Sequence, residues 1–276
     1  MRKVEYNRHL IDDEIMKEGL CAASALEDRQ ISRAMSYVVG GVAVQSYSPT
    51  SCRRPTVDID LSVLRPLRRP EFAEFSGAAM EFLRDSGYDV EMKKGHNSYQ
   101  LIYSKPLENG NGKDVAVLEF ARRNDTNFDR VSNRLNREYE MARDKIVEGS
   151  NITYKVCSPE DIAVPKIVRG VGSLRRHPEF CRYIESGKFV PLSAETIAGE
   201  LMKIAELRDE AVMHVGDPKR AETLRFVSDL LDVRVLSETT GFNEQYLRES
   251  ISSWEALREE NPNKDLLFNY LLPRIF

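Results

Sequence analysis

Histidine and cysteine are both scarce in this chain, with four of each among 276 residues. Cys21, Cys52, Cys157 and Cys181 are scattered, and no Cys-x-x-Cys pair occurs. That spacing argues against a zinc ribbon and against a thioredoxin-type dithiol. His9, His96, His177 and His214 are equally dispersed, and no His-Asp dyad accompanies them. The histidine-rich ligand set of a metallo-phosphohydrolase is therefore missing. No apolar run reaches the roughly 18 residues of a membrane span, and the opening stretch MRKVEYNRHLIDDE has no apolar h-region. Neither export nor membrane insertion is expected, and reduced thiols in a cytoplasmic protein fit best. Gly-x-Gly-x-x-Gly and Walker A sequences are absent too. Nor is there a surplus of basic charge: 40 Lys and Arg stand against 44 Asp and Glu, for a net charge of −4. A coat of positive charge for non-specific nucleic-acid binding is excluded, whereas a local basic channel is not.

What the chain does have is a soluble, globular composition, 41% hydrophobic and 30% charged. Its length predicts more than one domain, with a division at 1–190 and 191–276. The most informative stretch is Tyr37–Val63, YVVGGVAVQSYSPTSCRRPTVDIDLSV. Tyr37-Val38-Val39 reads as a short buried strand, Gly40-Gly41 as a turn, and Val42–Tyr47 as one or two helical turns. A second strand then carries Asp58 and Asp60. Residues i and i+2 of a strand share a face, with Cα atoms about 6.6 Å apart, so two carboxylates at that spacing can bracket one hard cation. Mg²⁺ favours such oxygen ligands together with substrate phosphates. A glycine pair opening a helix exposes backbone N–H groups to an anion.

Strand, Gly-Gly, short helix, then Thr56-x-Asp58-x-Asp60 on the next strand resembles the polymerase-beta-type nucleotidyltransferase superfamily. The spelling GGVAV followed by RRPTVDIDLSV is most similar to its AbiEii-like branch, which includes toxins of toxin–antitoxin systems. The resemblance implies a metal-dependent transferase that moves a nucleoside monophosphate from an NTP to a hydroxyl and releases pyrophosphate. Mg²⁺ or Mn²⁺ is the implied cofactor, and an antitoxin the implied protein partner. It also implies a third carboxylate on a later strand. Glu119 matches, near the end of the otherwise apolar run VAVLEF, where a carboxylate needs a partner or a metal. Three carboxylates suit a two-ion mechanism. Gly40, Gly41 and Thr56 fall on the nucleotide side of the motif. Lys166, in SPEDIAVPKI, matches a later helix that presents a lysine to the phosphates. The branch often continues with Asp-x-x-Asp, where this chain has Glu179 and Arg182. That departure motivates the alternative of a catalytically silent protein that binds a nucleotide or a partner.

The remaining sequence sets further expectations. Residues 8–36 read as helix, divided at Gly19, and Glu71–Ser86 as one amphipathic helix capped by Gly87. Strands are expected over Tyr88–Met92, Tyr99–Ser104, Val115–Phe120 and Ile152–Val156. Helix is expected within Arg122–Lys145 and over Pro159–Arg169, where Pro165 predicts a kink. The tail reads as helices over Ser193–His214, Pro218–Leu236, Asn243–Glu259 and Asp265–Leu272. The fold class is thus α/β (α+β): a small mixed sheet with flanking helices, followed by a helical C-terminal domain. The close spacing of the strands between Asp60 and Glu119 disfavours a doubly wound parallel sheet. Arginines cluster beside each proposed site element: Arg53, Arg54, Arg65, Arg68 and Arg69, then Arg122, Arg123, Arg130, Arg134 and Arg137, then Arg169, Arg175 and Arg176. Converging in space, they would form a rim for a phosphate backbone. The acceptor read from this pattern is RNA, with tRNA first, ahead of a protein hydroxyl or a small molecule.

Overall fold

The computed structural model describes residues 7–26, 35–95, 97–107, 112–176, 218–254 and 263–275. The chain divides into two compact units. The first comprises Met1–Ser46 and Pro55–Ser158; the second comprises Tyr47–Arg54 and Pro159–Phe276. The domain boundary expected at residue 190 lies outside the described residues.

The first unit is built on a seven-stranded mixed sheet. Its strands are β1 (Ser36–Val39), β2 (Asp58–Val63), β3 (Asp89–Lys94), β4 (Ser98–Pro106), β5 (Lys113–Ala121), β6 (Arg143–Ile146) and β7 (Thr153–Val156), in the order β3-β4-β5-β2-β1-β7-β6. β2 runs antiparallel to β1 and parallel to β5, so the three central strands are β1, β2 and β5. The register sets Asp60 beside Val39 on one side and Glu119 on the other. Helices α1 (Glu14–Ser24), α2 (Gly40–Tyr47), α3 (Arg69–Phe75), α4 (Gly77–Asp85) and α5 (Asp125–Met141) surround it.

The faces of the sheet are dressed differently. Ile59, Leu61, Leu118 and Phe120 alternate with the acidic positions along β2 and β5 and are all essentially buried. Phe72 of α3 packs edge-on to Phe120 at 5.2 Å and stacks on Tyr99 at 4.7 Å. Helix α1 covers the same side. A Cβ at its Gly19 would lie 2.1 Å from the Tyr103 hydroxyl and 2.7 Å from Ile59 Cδ1. Gly19 therefore does not divide two helices, as the sequence predicts; it lets one helix lie close against the sheet, and Tyr103 donates to the Ile15 carbonyl at 3.0 Å. Among the described residues of the expected helix over 8–36, Glu14–Ser24 is helical and Ser36 already belongs to β1; residues 27–34 lie outside the described residues. Glu71–Ser86 is likewise two helices broken at Ser76, and β6 is a strand no apolar pattern announces.

In its described residues the second unit is mainly helical: α6 (Pro159–Arg176), α7 (Pro218–Thr240), α8 (Glu244–Ser252), α9 (Asn263–Leu266), a π-turn over Leu267–Leu271, and α10 (Leu272–Ile275). Ile167, Val171 and Leu174 of α6 share a core with Phe226, Leu230 and Val233 of α7, Leu247 and Ile251 of α8, and Cys52. Pro165 does not end α6. Its missing N–H removes one backbone bond, but the buried faces on either side continue the helix to Arg176. The acids of the first turn are bound inside the unit. Asp161 accepts hydrogen bonds from the Tyr246 and Ser250 hydroxyls at 2.6 Å each, and Glu160 accepts from the Asn243 amide at 2.8 Å. The expected helix Ser193–His214 lies outside the described residues.

Candidate active site

Asp58 and Asp60 stand two residues apart on β2, and Glu119 is the cross-strand neighbour of Asp60 on β5. Register and pleat together turn all three carboxylates to one face. One oxygen from each lies within 4.8 Å of the others. All three residues are half-buried, accessible without being fully solvated. Among the described residues this is the single grouping of three or more Asp, Glu, His or Cys side chains close enough to share an ion. Three carboxylates so close repel one another, and hydrogen-bond donors or a cation must offset that. A hard divalent cation fits this all-oxygen donor set; a soft metal does not.

Two donors are in place. Thr56 Oγ1 donates to Asp58 Oδ1 at 2.8 Å, and Gln100 Nε2 donates to Glu119 Oε2 at 3.1 Å. Thr56 itself is buried, and its backbone is fixed by a reciprocal bridge to His9. Gln100 lies opposite Glu119 across the β4–β5 ladder. Sequence reading passes it over, because a lone glutamine in a strand signals nothing until the register is known.

The glycine turn adjoins the acids directly. Gly40 has φ +71°, and a Cβ there would fall 1.9 Å from Asp60 Oδ2. Only glycine accommodates both the left-handed backbone and the carboxylate. A Cβ at Gly41 would lie 3.1 Å from Thr56 Oγ1. The opening of α2, whose first N–H groups have no intrahelical acceptor, is thus brought next to the Thr56–Asp58–Asp60 edge of the site.

Six of the seven site residues named from sequence, Gly40, Gly41, Thr56, Asp58, Asp60 and Glu119, belong to the first unit. Lys166 belongs to the second. There its ammonium is buried, 2.7 Å from Asp232 Oδ2 and 3.3 Å from Asp229 Oδ1. Arg54 adds to this cluster at 2.9 Å from Asp232, and Arg169 grips both oxygens of Asp229 at 2.8 Å. Burial by itself raises the Asp232 pKa, but Arg54 and Lys166 outweigh it and hold the carboxyl at about 2. Asp229 is lowered in the same way: burial opposes, Lys166 and Arg169 prevail. Several arginines of the expected rim are thereby ion-paired, as is Arg68, which pairs with Asp125. Glu179 and Arg182 lie outside the described residues.

No protein-family profile matches the chain. No curated protein matches it either. Among solved structures, it is similar to an antigenic nucleotidyltransferase-like protein from Paracoccidioides brasiliensis, at 13% identity over 94% of this chain and 91% of that one, with a TM-score of 0.45. JHP933 from Helicobacter pylori is similar at 13% identity over 89% of this chain and 96% of that one, with a TM-score of 0.35.

Among the described residues, no helix is long and apolar enough to cross a membrane.

Proposed function

We propose that the chain is a divalent-metal-dependent nucleotidyltransferase that transfers a nucleoside monophosphate from an NTP to a hydroxyl. The observation that carries this reading is the meeting of Asp58, Asp60 and Glu119 on one sheet face directly beside the Gly40 turn. A carboxylate cluster alone is compatible with many metal sites. A carboxylate cluster against a glycine turn that opens a helix provides for a metal and for the phosphates it accompanies.

Asp58, Asp60 and Glu119 would hold Mg²⁺ or Mn²⁺. Bound there, the cation supplies charge neutralisation at the reacting phosphate and a lowered pKa for the attacking hydroxyl. The chain's own groups do the remainder. Thr56 keeps Asp58 in one rotamer, and Gln100 does the same for Glu119. The amides of Gly40 and Gly41 offer donors to the β- and γ-phosphates. The acceptor oxygen forms a bond to the α-phosphorus, and the α–β anhydride bond breaks. Pyrophosphate leaves and the hydroxyl proton passes to a carboxylate or to solvent. Positioning and electrostatic complementarity account for most of the rate in such transfers. The AbiEii-like spelling of the motif supports placing the chain in that branch, with RNA as acceptor, tRNA first, and an antitoxin as partner.

Calorimetric titration of an NTP into the protein, with and without Mg²⁺, tests the reading. Binding is expected to require the cation and to disappear in D58A/D60A while the thermal melt is retained. Cation-independent NTP binding by the double variant would overturn it.

A further inference from the structure

Ser62 continues the β2 face that carries Asp58 and Asp60, about 6.7 Å beyond Asp60. Above it lies a group of charges that the metal site does not use. Arg123, two residues past the end of β5, donates from Nη2 to Ser62 Oγ at 3.4 Å. Its Nη1 is buried and has no hydrogen-bond partner. Arg134 of α5 stands close enough to raise the local positive potential, and Glu138 lies 3.3 Å from its Nε. Glu138 is already engaged: the Tyr37 hydroxyl donates to its Oε2 at 2.6 Å. Glu138 therefore meets both the Arg134 guanidinium and the Tyr37 phenol. Burial, and after it the charge of Arg134, lower the Arg123 pKa from its ordinary value, while Tyr37 and Glu138 act in the opposite direction. Arginine pairs of this kind suit a phosphate, which accepts their forked donors.

The position of the pair says which phosphate. Along β2 the order is Thr56 and Asp58, then Asp60, then Ser62. The glycine turn adjoins Thr56 and Asp60, and Arg123 adjoins Ser62. The two anion-attracting features thus flank the carboxylates along the strand. In an in-line displacement the entering and leaving oxygens occupy opposite sides of the phosphorus. With pyrophosphate leaving on the glycine side, the arginine side receives the acceptor. We propose that Arg123 and Arg134 form an acceptor subsite that binds a phosphate ester carried by the acceptor within a few ångströms of its reacting hydroxyl. This rests on the transferase reading above. A neutral acceptor, such as an unphosphorylated sugar or a serine side chain, would leave the pair unused.

Inorganic phosphate is the probe, titrated into the full chain without divalent cation at low salt and followed by ³¹P line broadening. Wild type is expected to bind it, D58N/D60N to bind it as well, and R123M and R134M to lose at least tenfold in affinity. R123K is expected to recover part of the loss, which a purely structural role for the guanidinium would not produce. Mg²⁺-dependent NTP binding by R134M is expected to stay within twofold of wild type. Should R123M fail to fold, R134M decides alone. Competition by a nucleoside 5′-monophosphate as strong as by a short oligoribonucleotide would assign a small phosphorylated acceptor; stronger competition by the oligoribonucleotide, steeply salt-dependent, would assign nucleic acid. Unchanged phosphate binding in R123M and R134M would overturn the proposal and leave the transferase reading standing, as would their losing NTP binding in parallel. Loss of NTP binding everywhere with phosphate binding intact would instead fail the transferase reading and, with it, the acceptor role.

Discussion

A methyl group at position 40 would collide with Asp60 Oδ2 at 1.9 Å and would force an L-residue into φ +71°. Both consequences follow from one atom. G40A is expected to lose about 1–2 kcal/mol of stability from the left-handed backbone. It is also expected to lose 100-fold or more in transfer rate, because the carboxylate it displaces belongs to the triad. Urea unfolding beside initial-rate measurements separates the two effects. Gln100 acts more gently. Replacing it by Leu removes the donor to Glu119 and is expected to weaken Mn²⁺ binding about 10- to 100-fold, the range for residues that orient a ligand. Electron paramagnetic resonance of the free ion reads that directly; unchanged affinity would show that Glu119 holds its orientation without help. Gly40, Asp58 and Asp60 are legible in sequence because a glycine pair and a two-residue alternation are local signals. Glu119 is legible because it interrupts an apolar strand. Gln100 and Arg123 are not, since their meaning depends on which strands pair and in what register.

The elements show where local signals are overruled. Pro165 predicts a kink or a shortened helix; α6 is not shortened and runs on to Arg176, because its buried faces on both sides of the proline contribute more than one lost hydrogen bond. β6, reading RDKI, escapes notice because an edge strand exposed to solvent needs no apolar alternation. Between α6 and α7, the ion cluster of Lys166, Asp229 and Asp232 joins buried groups that no spacing rule connects. Deleting Asp232 removes the buried carboxylate that Lys166 and Arg54 share, so D232A is expected to cost about 3–5 kcal/mol in chemical denaturation. The pH dependence has a definite sign. The folded pKa of about 2 lies below the ordinary carboxylate value of 3.8. The stabilisation is therefore complete above about pH 4 and is lost as pH falls through about 2, amounting to roughly 2 kcal/mol. The stability gap between wild type and D232N should narrow across that window. A gap that widens on acidification would contradict the assignment.

At the scale of the whole molecule, the chain order hides how the units are composed. The helical character of the second unit is plain from periodicity, but residues Tyr47–Arg54, from the last residue of α2 into the loop before β2, also belong to it. They contribute Cys52 to its core and Arg54 to the Asp232 cluster. Trp254, the sole tryptophan, packs against that core and reports on this unit by fluorescence. A fragment of residues 159–276 keeps the tryptophan but loses both contributions. Its fluorescence transition is expected at lower denaturant than that of the intact chain; a coincident midpoint would mean that the inserted segment adds nothing. The first unit carries the Asp58–Asp60–Glu119 triad and the glycine turn, and on these the proposed function rests. The most direct test follows label from an [α-³²P]NTP in the presence of Mg²⁺ and total RNA, with wild type and D58A/D60A side by side. The account predicts label transferred to an acceptor by wild type, abolished by chelator and by the double substitution, with the variant's melting curve unchanged. Equal transfer by the folded double variant would contradict it.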